Sequence, residues 1–205
     1  MGAPGRRSGG HPFEGGRVTW RLIFCIPNMR LCATKAAASS AACASASAPT
    51  RCTATTPNAD LHKALYSTEY SWGPSFTDYA MKIATDFAKS RKNDREELFV
   101  ADCDGTLAGC IMLCQTDEPS VGQLRLFAVE RDYRRYGIGS ALIAAFMKKA
   151  KDSGYQKIIL WTASPLTDAI RHYEKLGFKA TESVENTTWN TDGKPLDEIK
   201  MELFL

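Results

Sequence analysis

A basic loop that carries two glycines is the segment of this sequence best suited to binding chemistry. It reads Arg-Arg-Tyr-Gly-Ile-Gly over residues 134–139. Such a loop turns several backbone N–H groups towards one point at the positive end of a helix dipole, and that arrangement suits a pyrophosphate. Gly137 and Gly139 lack the side chains that would hinder a ligand approaching the backbone. The same pattern also occurs at ordinary helix starts, so the neighbouring segments have to decide between the two interpretations.

The segments on either side of the loop have the patterns of a buried strand and an amphipathic helix. Residues 124–129 (LRLFAV) are apolar apart from Arg125, which predicts a strand in a sheet covered on both faces. Residues 138–151 repeat large apolar side chains every four residues, which predicts a helix with a wide apolar stripe. The loop is therefore expected to join the end of a buried strand to the start of a helix.

A second strand and a second helix follow, and this helix contains a tyrosine of chemical interest. Residues 157–162 (KIILWT) predict a short apolar strand, and residues 166–176 predict a helix that Gly177 terminates. Residues 169–178 have the pattern Ala-x-x-x-Tyr-x-x-x-Gly-Phe, in which the tyrosine is Tyr173. On the residues alone, Tyr173 is either an aromatic side chain of the buried stripe or a group that faces a site.

The ordered combination of strand, Arg-x-x-Gly-x-Gly, helix, strand and Ala-x-x-x-Tyr-x-x-x-Gly-Phe resembles the GNAT family of acyl-CoA-dependent N-acetyltransferases. The resemblance covers roughly residues 60–205. Within the family, residues 62–72 and 189–205 look like the acetyltransferase domain often fused to MarR-type regulators, although no winged-helix segment is recognised here. The resemblance implies the GNAT acyl-CoA N-acyltransferase fold, of the α/β (α+β) class: a mixed, mostly antiparallel sheet with helices on both faces. The first strand of the family is not recognised, since residues 51–57 lack an apolar pattern.

The resemblance also implies an activity and the residues that perform it. The activity is transfer of an acetyl group from the CoA thioester to a primary amine by direct attack in a ternary complex, with acetyl-CoA as co-substrate and no metal. Backbone N–H groups of residues 135–140 would hold the pyrophosphate, residues 127–129 would pair their backbone with the pantetheine arm, and Tyr173 would be the general acid for the leaving thiolate. The expected cofactor-binding residues are Phe127, Ala128, Val129, Arg134 (an accessory basic residue), Arg135, Tyr136, Gly137, Ile138, Gly139 and Ser140.

The general base is left unassigned. The strand on which several family members carry a glutamate reads Leu-Trp-Thr over residues 160–162. Three carboxylates are available elsewhere, and each is expected to be a solvated surface charge: Glu69, Glu130 and Glu174. A chain of water molecules is the remaining route for the proton of the amine.

The acceptor side of the site is a hypothesis built on aromatic residues. Core packing is the alternative interpretation of the same side chains. An aromatic wall is predicted from Tyr66, Tyr70, Trp72 and Trp189, with Gln123 or Arg125 reaching the cleft. The histidines His62 and His172 are expected on helix surfaces.

Composition separates an amino-terminal extension, residues 1–57, from a domain over residues 58–205. Residues 36–48 contain only Ala, Ser and Cys, a composition that cannot bury enough apolar surface to order a chain. The extension is interpreted as disordered, as an organelle transit peptide, or as an artefact of a wrong start site or reading frame. The expected location is the cytoplasm, or an organelle if the extension is a transit peptide.

Charge and cysteine content limit the partners. Residues 1–59 carry +6 of a net charge of +3, so the remainder carries −3; this argues against a nucleic-acid surface. No run approaches the ~20 apolar residues of a membrane span. Seven cysteines without a Cys-x-x-Cys pair are interpreted as reduced thiols rather than a zinc site. The expected substrate partner is a small-molecule or peptide amine. A second copy of the chain, in a homodimer, is the other partner considered.

Two other functions are consistent with parts of the pattern. A non-catalytic acyl-CoA-binding or sensing module would keep the loop and dispense with the base. A nucleotide-binding turn of the Rossmann type is less consistent, because the order Gly-x-Gly-x-x-Gly is missing and no acidic residue follows the next strand at the required place.

Overall fold

The structure is a computed structural model and describes residues 21–24, 32–34, 55–90, 94–103 and 106–205. The described residues form eight strands and four α-helices, with a short 3-10 turn at Arg131–Tyr133. In chain order the strands and α-helices are β1 (Arg21–Phe24), β2 (Cys32–Thr34), α1 (Thr55–Glu69), α2 (Pro74–Ser90), β3 (Glu97–Cys103), β4 (Thr106–Gln115), β5 (Val121–Val129), α3 (Ile138–Asp152), β6 (Lys157–Ala163), α4 (Thr167–Lys175), β7 (Lys179–Asn186) and β8 (Leu196–Phe204).

All eight strands belong to one sheet, in the order β2-β1-β3-β4-β5-β6-β8-β7. Every neighbouring pair is antiparallel except β5 and β6, which are parallel. A parallel pair needs a crossover connection, and α3 provides it. The predicted mixed, mostly antiparallel sheet of the α/β class is confirmed.

Helices cover the two faces of the sheet, as alternation along the central strands requires. On β4, Ile111 and Leu113 pack in the same core cluster as Phe146 of α3. Their neighbour Met112 points to the other face and packs with Leu61 of α1. None of the described helices combines the length and the apolar character needed to span a membrane.

The sheet opens between β5 and β6. Their parallel pairing runs from Val121 with Lys157 to Leu124 with Leu160. β5 continues to Val129, but its pairing with β6 ends at Leu124. β6 stays paired with β8 as far as Ala163. A gap therefore lies between the carboxyl-terminal parts of two strands in the middle of the sheet.

A β-bulge on β5 lies beside this gap. Two residues, Leu126 and Phe127, stand opposite the single residue Ile111 of β4. Leu126 has a φ of 46°, which is unusual for a residue other than glycine, and its carbonyl oxygen accepts a hydrogen bond from the Cys110 thiol at 3.3 Å. The bulge resets the alternation, so that Leu126 packs on the side of α1 and Phe127 on the side of α3.

The edge of the sheet differs from the expectation. No first strand is recognisable in the sequence, yet β1 pairs antiparallel with β3. β1 has only four residues, too few to show a periodic pattern. Most of the remainder of residues 1–57 lies outside the described residues, so the disorder predicted there and the boundary near residue 58 stay predictions.

Candidate active site

A cavity of about 340 Å³ occupies the gap between β5 and β6. Its walls come from α1, α2, β5, β6 and α4, together with Trp189 after β7. Residues 123–129 of β5 and 161–163 of β6 line it. The parting of two parallel strands at their carboxyl ends is a common place for ligands in open sheets, because the backbone there has no neighbouring strand.

The basic loop lies at the carboxyl end of β5 and leads directly into α3. Gly137 precedes the helix with a φ of 78°, and no side chain caps the helix start. The first intrahelical bond runs from the Ala141 N–H to the Gly137 carbonyl at 3.0 Å. The preceding amides of the first turn thus have no acceptor within the helix. An exposed helix start of this kind is suited to an anion.

The two glycines of the loop differ in backbone conformation and in what surrounds them. Gly137 needs its left-handed backbone, and a Cβ there would meet no protein atom within 4 Å. A Cβ on Gly139 would lie 3.6 Å from Phe127 Cζ and 3.6 Å from Val129 Cγ2, which is ordinary contact distance. Gly137 therefore leaves open space on the ligand side of the loop, whereas Gly139 faces the side chains of β5.

The predicted cofactor residues divide into two groups. Phe127, Ala128, Val129 and Arg134 line the cavity. Residues 135–140 lie outside the lining and form the turn and the first residues of α3. Within that turn Tyr136 is exposed, whereas the side chain of Ile138 is buried in the core. The fold thus brings both groups together at one end of β5, and their contacts with a cofactor stay predictions.

Arg134 is held by groups of the protein. Its Nη1 and Nη2 donate to Glu69 Oε2 at 2.9 Å and to Glu69 Oε1 at 2.8 Å, and its Nε donates to the Val129 carbonyl at 3.1 Å. All three guanidinium nitrogens therefore have partners in α1 and β5. A contact between Arg134 and a pyrophosphate requires the guanidinium to share or leave Glu69.

Tyr173 of α4 lies in the wall of the cavity with 6% of its surface exposed. Its ring centroid is 6.5 Å from that of Phe127 and 5.8 Å from that of Phe178. Burial raises the pKa of the Tyr173 hydroxyl well above its ordinary value, and the nearby Tyr66 raises it further. The phenol is therefore neutral, and a proton donor, throughout the neutral range. The side chain packs in the core and also lines the cavity, and its role as a general acid stays a prediction.

The predicted aromatic residues all line the cavity. Tyr66 and Trp72 are stacked with their rings 4.9 Å apart, and Trp189 lies 5.1 Å from Trp72. Phe76 and Tyr79 of α2 also line it. We call these six residues the aromatic wall: Tyr66, Tyr70, Trp72, Phe76, Tyr79 and Trp189.

His62 is a cavity residue that the sequence pattern missed. The expectation of a helix-surface position is wrong for it, because its side chain is 2% exposed and lines the cavity. Its ring stacks at 5.8 Å on Tyr66, one turn further along α1. That spacing of four residues from a predicted wall residue was the signal available in the sequence. His172 is half-buried on α4 and does not line the cavity.

Carboxylates contribute little to the cavity. None of Glu69, Glu130 and Glu174 lines it. The acidic residue that does is Asp168, whose side chain is 98% exposed and paired with Arg171 at 3.5 Å. Within the described ranges, no group of three or more His, Cys, Asp or Glu side chains is arranged to hold a metal ion.

Comparison with known proteins adds a family to this geometry. Residues 59–178, more than half of the 205-residue chain, match the sequence model of the acetyltransferase (GNAT) family. The human protein N-acetyltransferase 8 is 31% identical over 115 residues, which cover 52% of this chain and 51% of that protein. The match therefore spans about half the length of this curated relative.

Solved structures show the same fold. The ribosomal-protein-S18-alanine N-acetyltransferase of Escherichia coli is 28% identical, with a TM-score of 0.51 over 59% of this chain and 76% of that chain. A GNAT acetyltransferase from Elizabethkingia anophelis with acetyl-CoA bound is 23% identical, with a TM-score of 0.50 over 60% of this chain and 82% of that chain.

Proposed function

Because the chain belongs to the acetyltransferase (GNAT) family, we propose that it transfers an acetyl group from acetyl-CoA to a primary amine by direct attack in a ternary complex. One observation carries this proposal. A turn suited to a diphosphate and a buried, protonated tyrosine lie beside a single cavity between β5 and β6. The same cavity has room for a second substrate on the side of α1 and α2.

The cofactor would bind along the carboxyl-terminal part of β5. The uncapped amides at the start of α3 would hold the pyrophosphate, because they lie at the positive end of the helix dipole. Residues 127–129 would pair with the pantetheine arm as an added strand, since no pairing with β6 is recorded there. The thioester would then lie near the bulge at Leu126, where a backbone N–H polarises its carbonyl.

The reaction needs one bond formed and one broken. The amine nitrogen attacks the carbonyl carbon of the thioester, the C–S bond breaks, and the nitrogen loses a proton as the amide forms. Tyr173 gives its hydroxyl proton to the sulfur and recovers one from solvent. Most of the acceleration would come from holding the two substrates in position.

The environment of Tyr173 suits this role in spite of its raised pKa. Burial makes the phenol a weaker acid than it is in water. Burial also raises the pKa of a thiol, as it does for Cys114, to about 12. A thiolate that leaves inside the cavity would likewise be a stronger base than in water, which reduces the mismatch with the phenol.

The proposal leaves the acceptor broad and assigns no base. The acceptor is a small-molecule or peptide amine, and water would take the amine proton. A homodimer, a cytoplasmic location and a special similarity to domains fused to MarR-type regulators stay predictions.

Calorimetric titration of the full chain with coenzyme A tests the first half of the proposal. Release of free thiol from acetyl-CoA in the presence of a panel of primary amines tests the second half. Heat of binding and amine-dependent thiol release are expected. Binding without thiol release would favour the acyl-CoA-binding module instead, and no heat at millimolar ligand would end the case for both.

A further inference from the structure

Arg125 lies beyond the part of β5 that the cofactor would occupy. The basic loop follows the carboxyl end of β5. Residues 127–129 lie next to the loop, and the bulge lies between them and Arg125, which is therefore further from the loop. Its charge acts on Tyr79 of α2 and on Cys114 of β4, and it lines the cavity. Arg125 therefore belongs to the side of the cavity on which the acceptor would bind.

The charge of Arg125 is not balanced within the cavity. Its Nε donates to Gln123 Oε1 at 2.9 Å, and it forms no ion pair with any described residue. Glu69 is occupied by Arg134, and Asp168 is exposed and paired with Arg171. A half-buried guanidinium with its Nη groups available favours an anionic partner, and a carboxylate fits its two-pronged geometry.

Two further polar groups in the wall point to a polar ligand. Thr162 Oγ1 and Trp72 Nε1 are buried and have no hydrogen-bond partner among the described residues. Both residues line the cavity, and each is more than nine-tenths buried. Buried polar atoms are usually satisfied, so a cavity with two unsatisfied ones is suited to a ligand with its own donors and acceptors.

The rest of the acceptor side is apolar. The aromatic wall presents ring faces and edges, and rings of this kind bury flat or branched apolar groups well. A small, purely cationic amine would meet Arg125 without a compensating charge. The charge of Arg125 therefore selects against simple polyamines.

We propose that the acceptor is an amine that also carries a carboxylate and an apolar body. Arg125 pairs with the carboxylate, and the aromatic wall covers the apolar body. This inference rests on the proposed acetyl transfer and names the acceptor class for it. Free amino-acid-like compounds and peptides with an acidic residue near the amino terminus share this chemistry.

The test compares ligands that differ only in the carboxylate. The probes are L-phenylalanine against L-phenylalaninamide, and phenylalanyl-aspartate against phenylalanyl-asparagine, with the carboxyl terminus of both dipeptides amidated. Each is titrated into the full chain saturated with coenzyme A, and each is assayed with acetyl-CoA for kcat/KM. The amide of phenylalanine has the less basic amine and therefore more of the reactive neutral form, so a preference for the acid reports recognition and not reactivity.

We expect the wild-type chain to favour the acid over the amide by about 10- to 100-fold in at least one of the two pairs. Arg125→Gln should reduce that ratio to about one, and Arg125→Lys should retain part of it. Lys148→Gln is the matched control, because Lys148 is 77% exposed on α3 and neither it nor its partner Asp152 lines the cavity. It should leave the ratio unchanged.

Three results would overturn the inference: equal or better use of the amide by the wild-type chain, an unchanged ratio in Arg125→Gln, or no binding of either acid at millimolar concentration. The pair that shows the preference identifies the source, free amino acid or peptide. Failure of the acetyl transfer itself is a separate result, since it appears as an absence of thiol release with every amine while the binding ratios still decide the role of Arg125.

Discussion

The two halves of the cavity are built in different ways. The proposed cofactor half, residues 127–129 of the lining with the adjoining loop as far as residue 140, is one continuous stretch that offers backbone groups and a left-handed glycine. The acceptor half, made of the aromatic wall and Arg125, gathers side chains from α1, α2, β5 and the segment after β7. A backbone-made site tolerates few changes of conformation, whereas a side-chain-made site can change its ligand without a change of fold. A surface made of backbone groups and a surface made of side chains therefore lie on opposite walls of one gap.

The two halves also differ in whether a carboxylate neutralises their arginine. In the cofactor half, Arg134 is neutralised by Glu69, and the loop relies on its amides. In the acceptor half, Arg125 has no carboxylate partner among the described residues. The proposed cofactor, which brings its own phosphates, would meet a helix start, whereas the proposed acceptor would meet the charge of Arg125.

The largest effect is expected at Tyr173, which lies where the halves meet. Tyr173→Phe should lower turnover by about 10- to 1000-fold with CoA affinity nearly unchanged. The substitution removes the hydroxyl group that would donate the proton and changes the side-chain volume little. Steady-state kinetics and calorimetry measure the two quantities. Tyr155→Phe is the control, since Tyr155 is equally buried but lies outside the cavity lining. Unaltered turnover in Tyr173→Phe would remove the residue from the chemistry.

Substitutions at two glycines with the same backbone conformation can distinguish backbone strain from loss of cofactor binding. Gly137 and Gly154 have φ values of 78° and 76°, and a Cβ on either would meet no protein atom within 4 Å. Alanine at either position should lower the free energy of unfolding by about 1–2 kcal/mol. Only Gly137→Ala should also weaken CoA binding, by about tenfold, because only Gly137 faces the predicted diphosphate. Equal CoA affinities in the two variants would contradict the placement of the cofactor.

Alkaline pH should weaken the sheet beneath both halves. Burial raises the pKa of the fully buried Cys110 thiol well above its ordinary value of 9.0. Above pH 9 the unfolded chain loses this proton and the folded chain keeps it, so the free energy of unfolding falls as pH rises, by up to about 1.4 kcal/mol per pH unit. Below pH 9 the group has no effect on the slope.

Urea unfolding between pH 7 and 10.5 measures this slope. Cys110→Ala should show a shallower alkaline decline than the wild-type chain. Ile111→Val is the control, because it removes a buried methyl group from the next residue and no titratable group; it should lower stability equally at all pH values. Identical slopes in Cys110→Ala and the wild-type chain would show that the thiol does not contribute.

The smallest effect is expected at the link between the halves. Glu69→Gln removes the charge that holds Arg134, and a freed guanidinium can turn towards the diphosphate. The affinity for coenzyme A should rise about two- to fivefold, with little change in stability, because the pair is partly exposed. Lys82→Gln, which breaks the exposed pair with Asp86 on α2, should leave the affinity unchanged. A weaker affinity in Glu69→Gln would mean that the closed pair itself supports the cofactor.

The cofactor half was predictable because its signals are local. The end of β5, the turn at Gly137 and the start of α3 follow one another in sequence, so periodicity and the glycine positions located them within a few residues. The hairpin of β3 and β4 and the helix around Tyr173 were predictable for the same reason. The family and the fold were also within reach, since the order of these segments is specific.

The acceptor half was only partly predictable because its contacts join distant residues. The Arg134–Glu69 pair, which links the acceptor half to the cofactor half, spans 65 positions, and no local sequence pattern predicts it. The aromatic wall was found by residue type, but His62 was missed because a histidine between helical residues reads as surface. The bulge at Leu126 was also hidden, since a leucine with positive φ is chosen by its neighbours on β4 and not by its own preference.

The continuous pairing of β6 with β8 has a consequence for substrate entry. Trp161, Thr162 and Ala163 keep their partners on β8 while the other side of the strand faces the gap. The gap is therefore present without a ligand, and no hydrogen bond between β5 and β6 has to break for a substrate to enter. Preorganisation of this kind lowers the entropy lost on association. Amide exchange along β6 should accordingly be as slow in the free chain as in the chain with coenzyme A.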